Sequence, residues 1–214
     1  SISRSLSRFL KDEEVETGIY EILKDILAFY RAGRAYIFET DEENHFYNCT
    51  YEVVAEGVKA EINELQEIPV DFMPWWTSQI LGKKPILFET LKPMSGMGQG
   101  EYEVLSRQGI KALMATPLVV NDHVYGFMGV DLVDGSASWS DEDYRWLSSL
   151  ANVISICLEL RRAKEKVVFE QAALARSERL FKNIFTNIPA GVEIYDKDGN
   201  LVDLNERDMD MLGI

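Results

Sequence analysis

Between Thr17 and Ala32 the apolar residues Ile19, Ile22, Leu23, Ile26, Leu27 and Tyr30 recur at helical spacing, with Glu21, Lys24 and Asp25 on the other side. The pattern predicts an amphipathic helix with one face to bury. Arg34 to Thr40 and His45 to Ala55 then read as two strands joined by the acidic turn Asp41-Glu42-Glu43-Asn44, an antiparallel hairpin. Gly33 and Gly57 punctuate its ends. Further on, Asp71 to Leu81 predicts a short helix opened by Pro74 and closed by Gly82, and Ile86 to Phe88 a short strand. Met94 to Gly100 is a glycine-rich loop, followed by a helix from Glu101 to Gln108 that ends at Gly109. Ala112 to Val120 and His123 to Val133 are rich in strand formers and joined by Asn121-Asp122, which predicts a second hairpin and the central strands.

Ser140, three residues before Asp143, supplies a helix cap with acidic residues in the first turn. No breaker interrupts the helix that follows until Pro189. Along it Trp146, Val153, Leu160, Val167, Leu174, Phe181 and Ile188 fall every seven residues, a seam suited to pairing with a second helix. The positions three residues later are mixed, Ile156, Ala163 and Ile184 being apolar but Glu170 and Ser177 not. Two helices of different domains joined by a solvated linker are the competing reading. After Pro189 come two short strands and a helical turn, too little to bury a core alone, so the chain is expected to end inside a second domain.

Charge narrows the partners. The chain of 214 residues carries 36 acidic and 22 basic side chains, net -14, with no large Lys/Arg cluster. Nucleic acid and anionic membrane surfaces, which need a basic face, are therefore not expected partners. No apolar run is long enough to span a bilayer and the first residues do not form a signal peptide, so a cytoplasmic location is expected. The two cysteines, Cys49 and Cys157, form no framework and fit a reducing compartment.

Chemistry is sparse. Phe72, Met73, Trp75, Trp76, Met94, Met97 and Tyr102 form an aromatic and thioether-rich stretch of the kind that lines binding pockets, with core packing the competing account of each. Adjacent Trp75 and Trp76 point different ways on a helix, so one packs while the other lines a cavity or the surface. The glycines before Glu101 and Glu103 make a poor anion site, because those carboxylates already occupy the helix start. His45 and Cys49 would share one strand face without a third ligand. No nucleophile and base pair is apparent, and no catalytic residue is assigned.

Several motifs carry a family resemblance. Leu105-Ser106-Arg107-Gln108-Gly109-Ile110-Lys111, Thr116-Pro117-Leu118, Tyr125-Gly126-Phe127-Met128-Gly129-Val130-Asp131 and Trp139-Ser140-Asp141, in that order after a helix and a hairpin, resemble a GAF domain over about three quarters of the chain. Ser177 to Phe185, Ile188-Pro189-Ala190-Gly191-Val192, Tyr195-Asp196, Gly199, Asn205 and Leu212-Gly213-Ile214 resemble the opening of a PAS domain. The resemblance implies an α+β fold, a GAF-like antiparallel sheet flanked by helices with a long C-terminal linker helix and an incomplete PAS-like segment. The corresponding units are residues 1–160, 161–187 and 188–214.

It further implies a regulatory, non-enzymatic module of a bacterial signalling protein such as a sensor histidine kinase. That module would bind an unidentified small molecule and form a homodimer through the Trp146 to Ile188 helix. The pocket would lie between the sheet and the Asp71 to Gln108 region, with Tyr36, Phe38, Cys49, Phe72, Trp75, Trp76, Tyr102, Met114, Met128 and Asp131 as candidate ligand contacts. Cyclic-nucleotide and bilin signatures of the family are missing, no cofactor is named, and no metal is assigned. A ligand-free dimerisation or spacer domain is the alternative. A methionine sulfoxide reductase of GAF type is less favoured, because such enzymes use a clustered set of cysteines.

Overall fold

A computed structural model describes residues 12–41, 45–135 and 137–213. The first residues, most of the expected turn between the first two strands (Glu42 to Asn44) and Ile214 lie outside the described residues. The chain divides into two compact units, Ser1–Leu160 and Arg161–Ile214.

In the first unit, helix α1 (Asp12–Tyr30) leads into β1 (Arg34–Thr40) and β2 (Phe46–Val54). A short β3 (Ile68–Pro69), α2 (Pro74–Leu81), β4 (Ile86–Phe88) and α3 (Gln99–Arg107) follow. β5 (Ala112–Val120) and β6 (His123–Leu132) complete the sheet, and α4 (Asp141–Asn187) starts behind it. The six strands are ordered β3-β2-β1-β6-β5-β4, with every pairing antiparallel. The centre is thus β1 with β6; β5, expected to be central, lies one strand in from the β4 edge, because the two hairpins meet through β1 and β6.

Each face of the sheet has its own core. Alternate residues of β1 divide between them: Ala35 and Ile37 pack with Ile19, Leu23 and Ile26 of α1 and Leu147, Ile154 and Leu158 of α4, whereas Tyr36 and Phe38 pack with Trp76 and Ile80 of α2. β1 is therefore buried along its whole length, Arg34, Glu39 and Thr40 as well as the apolar Ala35 to Phe38. Tight turns hold the register. Asn121 and Asp122 both take positive φ, 48° and 71°, as a two-residue hairpin with the sheet's twist requires.

The helix starts are secured by side chains. The Ser140 backbone N–H donates to Asp143 Oδ2 at 2.8 Å while the Asp143 N–H donates to Ser140 Oγ at 3.1 Å, a reciprocal cap for α4. The stretch expected as a glycine-rich loop instead forms a 3-10 turn, Lys92–Gly96, whose Pro93 presets the helical φ, and α3 begins two residues earlier than Glu101.

The second unit contains the rest of α4, a hairpin of β7 (Glu193–Tyr195) and β8 (Leu201–Leu204), and α5 (Glu206–Leu212). Asn205 is its organiser. Buried to 2% exposure, it accepts from the Val192 and Asp208 N–H groups and donates to the Phe185 and Ala190 carbonyls.

Candidate functional site

The cavity of the first unit lies between the α2–α3 face of the sheet and those helices, as expected. Its floor comes from alternation: Arg34, Tyr36 and Phe38 on β1, Phe127 and Asp131 on β6, and Tyr47, Cys49 and Glu52 on β2. A bulge lets Cys49 and Glu52, three residues apart, face the same side. Register slips between Ile37 and Phe38, which oppose Tyr51 and Cys49, so Thr50 is the extra residue and Tyr51 turns to the α1 face. The walls are Met73 and Trp76 at α2, Leu105 and Gln108 around α3, and Leu65 from the segment crossing the β2 edge.

Two glycines make this arrangement possible. A side chain on Gly126, at φ 143°, would meet the Phe38 carbonyl oxygen at 1.9 Å, and one on Gly129 would meet the Tyr36 hydroxyl at 2.7 Å and its ring at 2.8 Å. The space over Gly129 lets the Tyr36 hydroxyl donate to Asp131 Oδ1 at 2.8 Å. Asp131 is 2% exposed, and burial pushes its carboxyl up to about 7 against the opposing pull of Tyr36 and Arg34. The same burial and the neighbouring carboxylate raise the Tyr36 hydroxyl well above its ordinary value.

Arg34, 4% exposed, sits across the strands from Asp131. Its Nε donates to the Lys59 carbonyl at 3.1 Å and its Nη2 to the Gln108 carbonyl at 3.2 Å, with Glu52 and Glu61 at 3.8 and 3.9 Å. Glu52 is itself fixed by the Glu61 and Ile62 N–H groups. The Nη1 of Arg34 and the Nε1 of Trp76 are buried without a hydrogen-bond partner. At the other end Phe38 and Phe127 stack at 4.8 Å, with Trp76 edge-on to Phe127 at 5.2 Å.

The cavity thus gathers Tyr36, Phe38, Cys49, Trp76 and Asp131 from the candidate contacts. The others lie elsewhere. Met114 and Met128 are fully buried in the core against α1 and α4, because each stands one residue out of phase with a cavity-facing strand position. A larger residue at Met114 would overpack that helical core rather than plug the cavity. Phe72 is exposed at 52%, Trp75 turns to Phe88 at 5.7 Å, and Tyr102 packs beside the cavity without lining it. Of the two adjacent tryptophans it is Trp76 that reaches the cavity.

Met73 joins the cavity-lining residues from the aromatic and thioether-rich stretch, whereas Arg34, Tyr47, Glu52, Leu65, Ile68, Val104, Leu105, Gln108 and Phe127 were not singled out from sequence as cavity residues. Phe127 was within reach, since it alternates with Asp131 on one strand; Arg34 and Glu52 look like ordinary strand-end charges until the register is known.

Glu101 also has a different role from the one its position suggested. It does not hold the start of its own helix: its Oε1 accepts from the Trp75 and Trp76 N–H groups at 2.9 and 3.3 Å, capping α2, which has no side-chain cap of its own. His45 and Cys49, already too few for a metal site by sequence, are also kept apart. His45 is exposed beside Asp41 while Cys49 is buried, and no group of three metal-ligating side chains occurs among the described residues.

The GAF domain family model matches residues 14–158, the span that builds the sheet, both cores and the cavity. The chain belongs to the GAF family. No curated protein matches it in sequence.

Solved structures share the GAF fold at low identity. A far-red-absorbing protein in its dark state with bound biliverdin IXα is 11% identical, with a TM-score of 0.62 over 74% of this chain and 97% of that one. A GAF domain of a Synechocystis protein in its photoproduct state is 12% identical, TM-score 0.61, covering 72% and 98%. The chromophore-binding domain of a Stigmatella aurantiaca bacteriophytochrome is 16% identical, TM-score 0.60, covering 74% of this chain and 58% of that one. No helix among the described residues of this GAF protein is long and apolar enough to cross a membrane.

Proposed function

We propose that the GAF domain is the sensory module of a bacterial signal-transduction protein, with the sensor histidine kinases as its most fitting context. It would hold a small molecule in the cavity between the sheet and helices α2 and α3. The observation that carries the reading is the cavity itself, set between the sheet and two helices and lined at one end by Arg34, one of whose buried guanidinium N–H groups no protein group satisfies. A ligand favouring one arrangement of α2 and the central strands would bias α4, whose Leu147, Ile154 and Leu158 pack on the other face of the same sheet. Coupling of about 1 to 3 kcal/mol suffices for such a signal. Residues 161–187 would carry it as a signalling helix to the PAS-like segment 188–214.

The solved neighbours include biliverdin-bound proteins, and a bilin does not fit here. The cavity has a volume of about 40 Å³, room for about three waters, whereas ligand pockets run to several hundred. Its cysteine, Cys49, is buried, and burial raises its thiol well above the ordinary value, so no thiolate is available to anchor a chromophore. Cys157 is likewise buried and pushed up to about 11, which also supports a binding module over a thiol-based reductase.

A second reading is favoured by one specific feature. On α4, Leu160, Val167, Leu174 and Phe181 are each at least half exposed and recur every seven residues, which fits a dimerisation and spacing helix with or without a ligand.

Native mass spectrometry of the purified protein tests both readings. A discrete extra mass that disappears in Trp76→Ala, at unchanged subunit count, supports the sensor. A dimer without added mass under gentle desolvation, unresponsive to a metabolite panel, replaces the sensor by the spacer.

A further inference from the structure

Arg34 ties together two segments that wall the cavity. Its Nε donates to the Lys59 carbonyl, in the irregular stretch that leads to Leu65, and its Nη2 to the Gln108 carbonyl at the end of α3. The Gln108 carbonyl is one that a helix end leaves without an intrahelical partner, and a cation there also meets the negative end of the helix dipole. With both bonds made, the volume left between the walls is about 40 Å³, room for about three waters.

A rival acceptor stands directly across the strands. Arg34 on β1 and Asp131 on β6 are partners in the antiparallel register, so their Cβ atoms lie about 5 Å apart, well within the reach of an arginine side chain. Opposite charges so placed ordinarily close on one another. Here they stay apart: Asp131 takes its hydrogen bond from Tyr36, and Arg34 Nη1 is buried without a partner.

The charge on Asp131 decides between the two arrangements. From β1 it faces Tyr36 and Arg34, from β2 Glu52 and Cys49, and β5 sets Leu113 opposite it. The helices bring Trp76, Leu105 and Gln108, which do not titrate, while Glu101 of α3 turns to the start of α2. Burial keeps Tyr36 and Cys49 neutral, so Arg34 and Glu52 are the charges that Asp131 meets. Glu52 and Glu61 flank the guanidinium at 3.8 and 3.9 Å, too far for close hydrogen bonds. A neutral Asp131 asks nothing further of Arg34. An ionised one offers a charge-assisted bond, roughly twice as strong as one to a neutral carbonyl, and answers the empty Nη1 as well. Burial holds the proton on Asp131 up to about pH 7, so both forms are populated near neutrality.

We propose that Arg34 is a latch on the cavity: bonded to the Lys59 and Gln108 carbonyls it holds both walls shut, and turned across the strands to an ionised Asp131 it releases them. The latch goes beyond the small-molecule reading and stands without it, since a proton alone works it. The small volume belongs to the shut form, and the walls part before anything larger enters.

NMR of the full chain, titrated from about pH 5.5 to about pH 8.5, tests the latch. The signals to follow are the Arg34 Nε–H and the Ala60 and Gly109 amides, which share peptide units with the two carbonyls. All three are expected to shift with one common midpoint, near where Asp131 titrates. Asp131→Asn, nearly isosteric, is expected to hold all three flat. In Arg34→Lys the carboxyl still ionises but a single ammonium lacks the fork that holds both carbonyls, so Ala60 and Gly109 are expected to lose their common response.

A flat signal from any of the three in the parent protein overturns the latch, whether or not either variant folds. So does a shift of Ala60 and Gly109 that persists in Asp131→Asn, which assigns it to another group. A common shift unchanged in Arg34→Lys overturns it too, reducing the response to the field of the carboxylate. None of these outcomes bears on ligand retention, which native mass spectrometry reads separately.

Discussion

Asp131 joins the architecture of the sheet to its chemistry. It is buried, it faces Tyr36, Arg34 and Glu52, and burial outweighs the stabilising partners so that its carboxyl titrates at about 7. The folded state therefore binds a proton that the unfolded chain, with an ordinary aspartate, has already released. Between about pH 4 and about pH 7 this group makes stability fall as pH rises, by a slope approaching about one proton, and above about pH 7 its contribution is level. The Asp131→Asn variant is expected to lose that slope, read as the difference between its urea midpoints and those of the parent across the range.

Glu101 provides a second residue-scale test. It is 1% exposed and satisfies two N–H groups at the start of α2, the helix that places Trp76 over the cavity. Glu101→Ala is expected to destabilise the domain by about 1 to 3 kcal/mol in chemical denaturation, because two buried donors lose their acceptor. A cost near zero would show that α2 finds another cap. The sequence could not reveal this role, since Glu101 and Trp75 are 26 residues apart and meet only when α3 packs beside α2.

At the scale of elements, α4 changes character along its length. Its first turns bury Leu147, Leu150, Ala151, Ile154 and Leu158 at spacings of three and four, the period of a helix lying on a sheet. From Leu160 the side chains are largely exposed, and the seven-residue repeat runs through an apolar surface that also includes Val168, Phe169, Leu180 and Ile184. Val167→Asp with Leu174→Asp is expected to convert a dimer to a monomer in sedimentation velocity while leaving the first unit folded, because those residues lie outside both of its cores. An unchanged sedimentation coefficient would remove this seam as the interface.

The bulge at Thr50 acts at the same scale. It moves Tyr51 to one core and keeps Cys49 and Glu52 in the cavity, so an uninterrupted alternation would have predicted the wrong face for residues on one side of it.

For the whole molecule, the net charge of -14 predicts behaviour toward polyanions. No mobility shift of duplex DNA is expected even at low salt, where counterion release most favours binding. A shift that weakens with salt would reveal a basic face that the composition conceals.

Periodicity by itself determined the amphipathic first helix, the two hairpins, the long final helix and hence the α+β class, because each element is specified by neighbours within a few turns or strand residues. Only the tertiary structure decided which strands lie at the centre, which face each residue serves, and that Arg34 stands opposite Asp131 without closing on it. Those are matters of register between segments almost a hundred residues apart. A one-residue shift there sends Met114 and Met128 into the helical core and Phe127 into the cavity, a difference that no single strand's composition encodes.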